Sequence, residues 1–326
     1  MENNINILIT SVGRRTKLLE YFKNELSGRG RLIAADCSRL VPALYVADKH
    51  YIVPRIDSPE YIDFIINICM RENIKGILSL IDPELSLLAK HYQDFKAIGV
   101  TPIVSDYKTC QLFLDKYAAY EFFCDHEIKA AKSYITISDF EKALQDKILD
   151  YPVIVKPRYG SASIDVTIAR SSKEVNLIFD RKEDMLIQEF LKGQEVGLDA
   201  YVDMLSNELI SFFVKEKLAM RSGETDKARS VKYNGLLKVL KPFIRSANLK
   251  GPIDIDMFYS KGEHYISEIN PRFGGGYPMA FECGINFPKY IINNLEGNVN
   301  HFDTTDYQES VYMMKHDTLT IKRFQL

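Results

Sequence analysis

Two acidic–apolar strands near the C-terminal end constrain this chain more than any other feature. Ile253-Asp254-Ile255-Asp256-Met257 alternates apolar and acidic residues, and in Tyr265-Ile266-Ser267-Glu268-Ile269-Asn270, after a short turn, Glu268 and Asn270 flank Ile269. A period of two puts Asp254 and Asp256 on one face of the first strand, and Glu268 and Asn270 on one face of the second. Lys250 to Phe258 and His264 to Ile269 read as a hairpin turned by Ser260-Lys261-Gly262. Pro271 and Arg272 follow at once, with Gly274-Gly275-Gly276 just beyond. Adjacent strands thus offer oxygen ligands beside one arginine. Oxygen-only ligation is what Mg²⁺ bridging a polyphosphate requires. Asp256 and Glu268 form the best metal pair, and Asn270 adds a neutral oxygen. Arg272 has the planar fork that suits a transferring phosphoryl group. Asp254 either supports the metal shell or orients a basic side chain.

Three upstream segments fit phosphate chemistry. In Val155-Lys156-Pro157-Arg158-Tyr159-Gly160-Ser161-Ala162-Ser163 an apolar strand ends in a lysine and a loop of small residues. Gly160, Ser161 and Ser163 let backbone N–H groups approach phosphate oxygens, and Lys156 supplies a point charge. The loop is not a GxxxxGK[ST] motif. Taken alone it also reads as a hairpin with a solvent lysine. Lys116, in Phe113-Leu114-Asp115-Lys116, reads by itself as a helix-surface lysine. Ile187-Gln188-Glu189-Phe190-Leu191 is an edge-like segment able to present backbone groups to an adenine ring, and Glu195 could accept from ribose hydroxyls. The plain alternative is a strand and turn.

The organisation begins as α/β. Ile5–Thr10 reads as a strand, Ser11–Arg15 as a loop and Thr16 onward as a helix. Leu32–Ala35 is the next strand, which completes a βαβ unit. One loop glycine falls short of a dinucleotide fingerprint. A helix over Glu60–Arg71, a strand over Gly76–Leu80 and a helix opened by Asp82 complete a small open α/β domain over residues 1–100. One helix is predicted over Thr109–Phe123. Strands are predicted over Tyr151–Lys156, Val166–Ala169, Leu186–Phe190, Glu195–Asp203 and Leu209–Lys217, and Val311–Lys315 adds another. The pattern is α/β followed by α+β.

Composition narrows the function classes. Forty-two basic against 44 acidic residues leave a net charge of −2, which argues against a nucleic-acid binder driven by bulk charge. No apolar stretch approaches the roughly 20 residues that span a bilayer. No N-terminal leader is visible, so a cytoplasmic location is expected. Cys37, Cys69, Cys110, Cys124 and Cys283 are scattered without metal spacing and read as buried free thiols in a reducing compartment.

In sequence order these segments resemble the ATP-grasp superfamily, closest to its carbamoyl-phosphate-synthase-like or PylC-like carboxylate–amine ligases. SVGRRT and DPELSLLA resemble the family's preceding domain. DKYAAYEFF resembles the helix of the first ATP lysine. VIVKPRYGSAS, IQEFLKGQEVGLDAYVD and YISEINPRFGGGYP resemble the lysine strand with its glycine-rich lid, the hinge, and the metal strand. The resemblance implies an ATP-grasp fold, with an N-terminal open α/β preATP-grasp domain at 1–100. A small subdomain with the lid follows at 101–185, and a catalytic subdomain at 186–326. By position, Lys116 and Lys156 resemble the nucleotide-phosphate lysines. Gly160, Ser161 and Ser163 fall in the phosphate loop. Gln188, Glu189, Phe190 and Leu191 fall at the adenine hinge, and Glu195 resembles the ribose acid. Asp256, Glu268 and Asn270 resemble the metal positions, with Asp256 where Glu or Gln is frequent. Arg272 resembles the arginine of phosphoryl transfer. The loop Arg221–Lys227 resembles the segment that closes on substrate, so Arg221 joins Arg272 and Lys156 as a catalytic candidate. GSASIDV lacks the second glycine carried by many relatives.

The resemblance implies ATP and Mg²⁺, with Mn²⁺ as an alternative ion. It implies a small-molecule carboxylate and an amine joined through an acyl-phosphate, with ADP and phosphate released. The rivals are a stand-alone carbamoyl-phosphate-synthase-like subunit acting on bicarbonate or carbamate, and a non-catalytic nucleotide-binding regulator. Neither a nucleic-acid nor a membrane partner is expected. Arg14 and Arg15 read either as cleft arginines that receive an anionic substrate or as solvated loop residues. A homodimer follows only by family analogy.

Overall fold

A computed structural model describes residues 4–160, 165–303 and 306–324. The N-terminal part runs β1 (Asn6–Thr10), α1 (Thr16–Leu26), β2 (Leu32–Asp36), β3 (Lys49–Ile52), α2 (Tyr61–Arg71), β4 (Ile74–Ser79), α3 (Asp82–Lys90), α4 (Tyr92–Ala97) and β5 (Thr101–Pro102). Its sheet is parallel, ordered β3-β2-β1-β4-β5. β1 is buried along its whole length, which suits its apolar centre Ile7-Leu8-Ile9. The strand order reverses between β1 and β4. Loops at the C-terminal ends of such a switch point are where open α/β sheets bind ligands.

The chain continues through α5 (Tyr107–Leu114), α6 (Lys116–Asp125), β6 (Ser133–Tyr134), α7 (Ile137–Gln145), β7 (Val153–Pro157), β8 (Thr167–Ala169), α8 (Ser172–Phe179) and β9 (Met185–Glu189). Strands β6-β9-β7-β8 form a small antiparallel sheet. This sheet takes in β9 as far as Glu189, beyond the boundary expected at 185. Where one helix was predicted over 109–123, the structure has two. Asp115 breaks the run: its backbone is extended, and its carboxylate accepts from the N–H groups of Tyr117 and Ala118. An N-cap of this kind satisfies donors that a continuing helix would bond internally, so it starts a new helix at Lys116.

The last part holds β10 (Gln194–Val202), β11 (Leu209–Arg221), β12 (Glu224–Ser230), α9 (Leu236–Ser246), β13 (Gly251–Ser260), β14 (Glu263–Asn270), α10 (Tyr277–Glu282), α11 (Phe287–Leu295) and β15 (Tyr312–Met314). The large sheet is ordered β14-β13-β10-β11-β12-β15. The expected hairpin is present, and Val311–Lys315 does supply an added strand, on β12. The segment 221–227, expected as a loop, is instead the tip of the β11–β12 hairpin. The apolar face of the large sheet packs Val196, Leu198, Ile253, Ile255 and Ile269 against α9 and against Phe113 and Phe123 of α5 and α6. Among the described residues, no helix is long and apolar enough to cross a membrane.

Cysteine placement corrects one expectation. Cys69 and Cys110 are buried, but Cys37 and Cys124 are exposed. Burial pushes the Cys69 and Cys110 thiols up to about 12, away from the reactive thiolate. Native-state alkylation followed by mass spectrometry should therefore label Cys37 and Cys124 first, and Cys69 and Cys110 only after denaturant is added.

Candidate active site

The polar face of the large sheet is built row by row. Asp254 sits opposite Asn270 across β13 and β14, and Asp256 opposite Glu268. On the other side of β13, Asp254 faces Asp199 and Asp256 faces Gly197 of β10. A Cβ on Gly197 would lie 3.1 Å from Lys217 Cε and 3.2 Å from Lys215 Cε, so the missing side chain makes room for two lysines from β11. Lys217 Nζ donates to Asp256 Oδ1 at 2.5 Å and to Glu195 Oε1 at 3.1 Å. Burial disfavours its charge, but the Asp256, Glu195 and Asp254 carboxylates outweigh that and hold its pKa above the ordinary lysine value. Lys217 is thus committed within the sheet.

Lys215 donates to Asp199, and both side chains are fully buried. Breaking a buried pair strands one charge, at a cost of about 3–5 kcal/mol. Lys215→Met should therefore lower the unfolding free energy by about that amount in denaturant titrations. Adding Asp199→Leu should restore most of it.

Facing this sheet are the two lysines that the sequence singled out. Lys116, placed at the start of α6 by the Asp115 cap, turns inward: its Nζ donates to the Gly160 carbonyl and lies 3.6 Å from Glu268 Oε1. It is therefore not the surface lysine that its helix alone suggests. Asp115 also takes a bidentate contact from Arg158, at 2.7 and 2.5 Å, which ties α6 to the loop after β7. Lys156 is 9% exposed. Burial and the neighbouring Lys116 push its pKa down, against the pull of Glu268 and Asp256. Gly160 has φ +110°, in the region that favours glycine. Ser161 and Ser163 lie outside the described residues.

Arg272 is held from two sides. Its Nε and Nη2 donate to Asp82 Oδ2 at 3.2 and 2.9 Å, and its Nη1 lies 3.5 Å from Asp254 Oδ2. Burial lowers its pKa, but Asp82 and Asp254 more than compensate and raise it. Burial, with the Asp256 and Asp199 carboxylates, pushes the Asp254 pKa up to about 7 against the pull of Arg272. Asp254 therefore orients a basic side chain, one of the two roles its spacing left open. Asp82 was not singled out as a site residue. A carboxylate opening a helix directly after a strand at the switch point was the available signal.

These groups line one cleft of about 690 Å³. Lys116, Lys156, Gly160, Gln188, Glu195, Asp256, Glu268, Asn270 and Arg272 all face it. Ile154, Val166, Met220 and Phe258 add an apolar wall that the motifs did not disclose. Gln188 is anchored by a bond from its Nε2 to Ser133 Oγ, 3.1 Å. The hinge residues Glu189, Phe190 and Leu191 are not among the lining residues, and the Glu189 N–H donates to the Lys132 carbonyl. Arg221 does not reach the cleft either. It spans Asp226 and Asp317 at 3.0 Å each on a half-exposed hairpin tip, whose Met220, Gly223 and Glu224 line the cleft while the Arg221 side chain does not.

Among the described residues, no group of three or more His, Cys, Asp or Glu side chains is placed to hold a metal unaided. Magnesium does not need one. It usually keeps waters and binds through one or two carboxylates plus substrate phosphates. Asp256 and Glu268, directly opposed and next to Asn270, match that donor set.

Comparisons with known proteins identify the domains. The PylC-like N-terminal domain profile matches residues 7–103, and the ATP-grasp domain profile matches residues 113–276. The chain belongs to the ATP-grasp family. It is an ATP-grasp ligase by that membership, with the fold class expected from its sequence. It is 24% identical over 290 residues to a carbamoyl-phosphate synthase of Methanobrevibacter smithii, covering 82% of this chain and 75% of that one. It is 21% identical over 247 residues to the arginine-specific carbamoyl phosphate synthase large chain of Bacillus subtilis, covering 72% of this chain but only 23% of that one. In structure it resembles the biotin carboxylase domain of Hydrogenobacter thermophilus 2-oxoglutarate carboxylase, solved with MgADP, ADP and bicarbonate. The TM-score is 0.74 at 14% identity, covering 94% of this chain and 73% of that one.

Proposed function

We propose that this ATP-grasp ligase joins a small-molecule carboxylate to an amine through an acyl-phosphate, releasing ADP and phosphate. The observation that carries the reading is convergence. Two lysines, an opposed Asp–Glu pair and a buried arginine, drawn from four separate segments, meet in one cleft. Lys116 and Lys156 bind the nucleotide phosphates. Glu195 and Gln188 meet the nucleoside, with Ile154 and Phe258 beside the base. Mg²⁺, or Mn²⁺ in its place, would be held by Asp256, Glu268 and Asn270 and would neutralise charge on the phosphate oxygens.

The acid oxygen attacks the γ-phosphorus, the bond to the β-γ bridging oxygen breaks, and ADP leaves. Arg272, fixed by Asp82, is pre-aimed at the transferring group, so little reorganisation is needed as charge develops. The amine then attacks the acyl carbon. The carbon–oxygen bond breaks, phosphate departs, and the nitrogen loses its proton. No covalent enzyme intermediate is required.

We assign residues 1–100 to the N-terminal α/β domain and the remainder to the ATP-grasp body. Its small sheet ends at Glu189. A homodimer is proposed by analogy with the dimeric H. thermophilus domain. The second reading, phosphorylation of bicarbonate or carbamate by a stand-alone synthase-like subunit, draws on the M. smithii relative, which matches most of the chain.

The test is ADP release with Mg-ATP across a panel of acids, with hydroxylamine present to trap acyl-phosphate. We expect turnover that depends on one class of acid and yields a hydroxamate. Arg272→Ala should lower the rate at least about 10²-fold, the scale of losing one transition-state donor. Arg272→Lys should not restore it, because an ammonium lacks the fork. Bicarbonate-specific turnover would put the synthase reading first. ATP binding without turnover on any acid, bicarbonate or amine would contradict both and favour a regulatory role.

A further inference from the structure

The N-terminal end of the cleft carries more positive charge than its own carboxylates balance. Arg14 and Arg15 follow β1, at the switch point of the parallel sheet, and both line the cleft. Their neighbouring acid is Glu224, at the start of β12. Arg15 Nη2 lies 3.4 Å and Arg14 Nη2 4.0 Å from Glu224 Oε1, while Lys315 Nζ takes Glu224 Oε2 at 3.1 Å. Three cations therefore share one carboxylate. The nearby Arg272 is already matched by Asp82 and Asp254.

The loop that carries these arginines is fixed in place. Ser11 Oγ donates to Glu84 Oε2 at 2.6 Å, and the Gly13 N–H donates to Asp36 Oδ2 at 3.1 Å. Glu84 is fully buried and is also met by Ser79 and Tyr61. α1, which begins at once after Arg15, has no acidic residue in its first turn and no side-chain cap, so its orphan N–H groups add to the positive field.

The glycine run joins this patch to Arg272. A Cβ on Gly275 would lie 2.8 Å from Arg15 Nη1 and 3.1 Å from Glu224, and one on Gly274 would lie 2.4 Å from Asp254 Oδ1. The backbone two and three residues beyond Arg272 thus runs bare between the phosphoryl-transfer arginine and the N-terminal arginines.

We propose that the acid substrate carries a second anionic group, a carboxylate or a phosphate, which Arg14 and Arg15 receive while its reacting carboxylate lies at Arg272. The inference rests on the ligase reading of the same cleft. The three cations outnumber the one carboxylate they contact, so the local field favours an anion over a substrate ammonium. Guanidinium forks suit either anion.

The test titrates the whole chain calorimetrically with butyrate, 4-aminobutyrate, succinate and 3-phosphoglycerate in the presence of Mg-ADP. ADP release from Mg-ATP is measured with the same four. Succinate or 3-phosphoglycerate should bind at least about tenfold tighter than butyrate, the scale of one charge-assisted contact. Whichever of the two is preferred identifies the second anion. Arg15→Ala should remove the preference. Arg14→Ala should reduce it without affecting the fold, since this side chain is 68% exposed. Butyrate or 4-aminobutyrate binding as tightly as both two-anion acids, both of those acids failing to bind, or both variants keeping the ratio would overturn the proposal. A preference for the two-anion acids without ADP release would overturn the ligase reading and leave the subsite standing. ADP release on butyrate without any preference would do the reverse.

Discussion

The buried ion pair between Arg272 and Asp82 is the contact on which the site depends. Arg272 follows the last strand of the catalytic hairpin, and Asp82 opens a helix of the N-terminal sheet. Neither charge would be tolerated at this depth alone, since an unpaired buried ion costs several kcal/mol. Each part of the chain therefore completes the other. The same helix turn also supplies Glu84, which holds the loop after β1 through Ser11. One turn of α3 thus sets both the arginine at the reacting centre and the loop at the far end of the cleft.

The charges converge because the large sheet separates its two faces. Apolar side chains on one face pack against α5, α6 and α9, and the alternation of β10, β11, β13 and β14 sends Glu195, Asp199, Lys215, Lys217, Asp254, Asp256, Glu268 and Asn270 to the other. Such a face is stable only if its charges are paired with care. Gly197 leaves space for the two lysines between the acids, and Gly274–Gly276 lets the backbone pass Asp254, Arg15 and Lys215 at distances no side chain permits. Asp256, Glu268 and Asn270 of this face meet Lys116 and Lys156 across the cleft.

Much of this was legible in the sequence because it depends on local periodicity. That Asp254 and Asp256 share a face, as do Glu268 and Asn270, follows from the alternation, and Lys156 from the end of an apolar strand, but the pairing of Asp256 with Glu268 needs a bulge at Ser267 that the pattern does not announce. Lys116 was legible only by resemblance. As a residue on a helix it looked solvent-facing, and the Asp115 cap that turns it inward was hidden in an apparently continuous helical pattern. Arg221 was named only by resemblance, as part of a loop; the segment pairs across β11 and β12, and the Arg221 guanidinium contacts Asp226 and Asp317. Asp82 lies 190 residues from Arg272, a separation no local pattern spans. The Lys215–Asp199 pair was equally invisible, because burial of a charged pair inside a sheet is a tertiary fact.

The central claim is that the γ-phosphoryl group of ATP passes to a carboxylate oxygen. Oxygen tracing tests it most directly. An acid that supports ADP release, supplied with ¹⁸O in its carboxyl group, is turned over in ordinary water, and the phosphate formed is read by phosphorus NMR. Transfer through an acyl-phosphate leaves one labelled oxygen in each phosphate when the amine displaces it. Unlabelled phosphate would mean that water received the phosphoryl group, and would contradict the assignment.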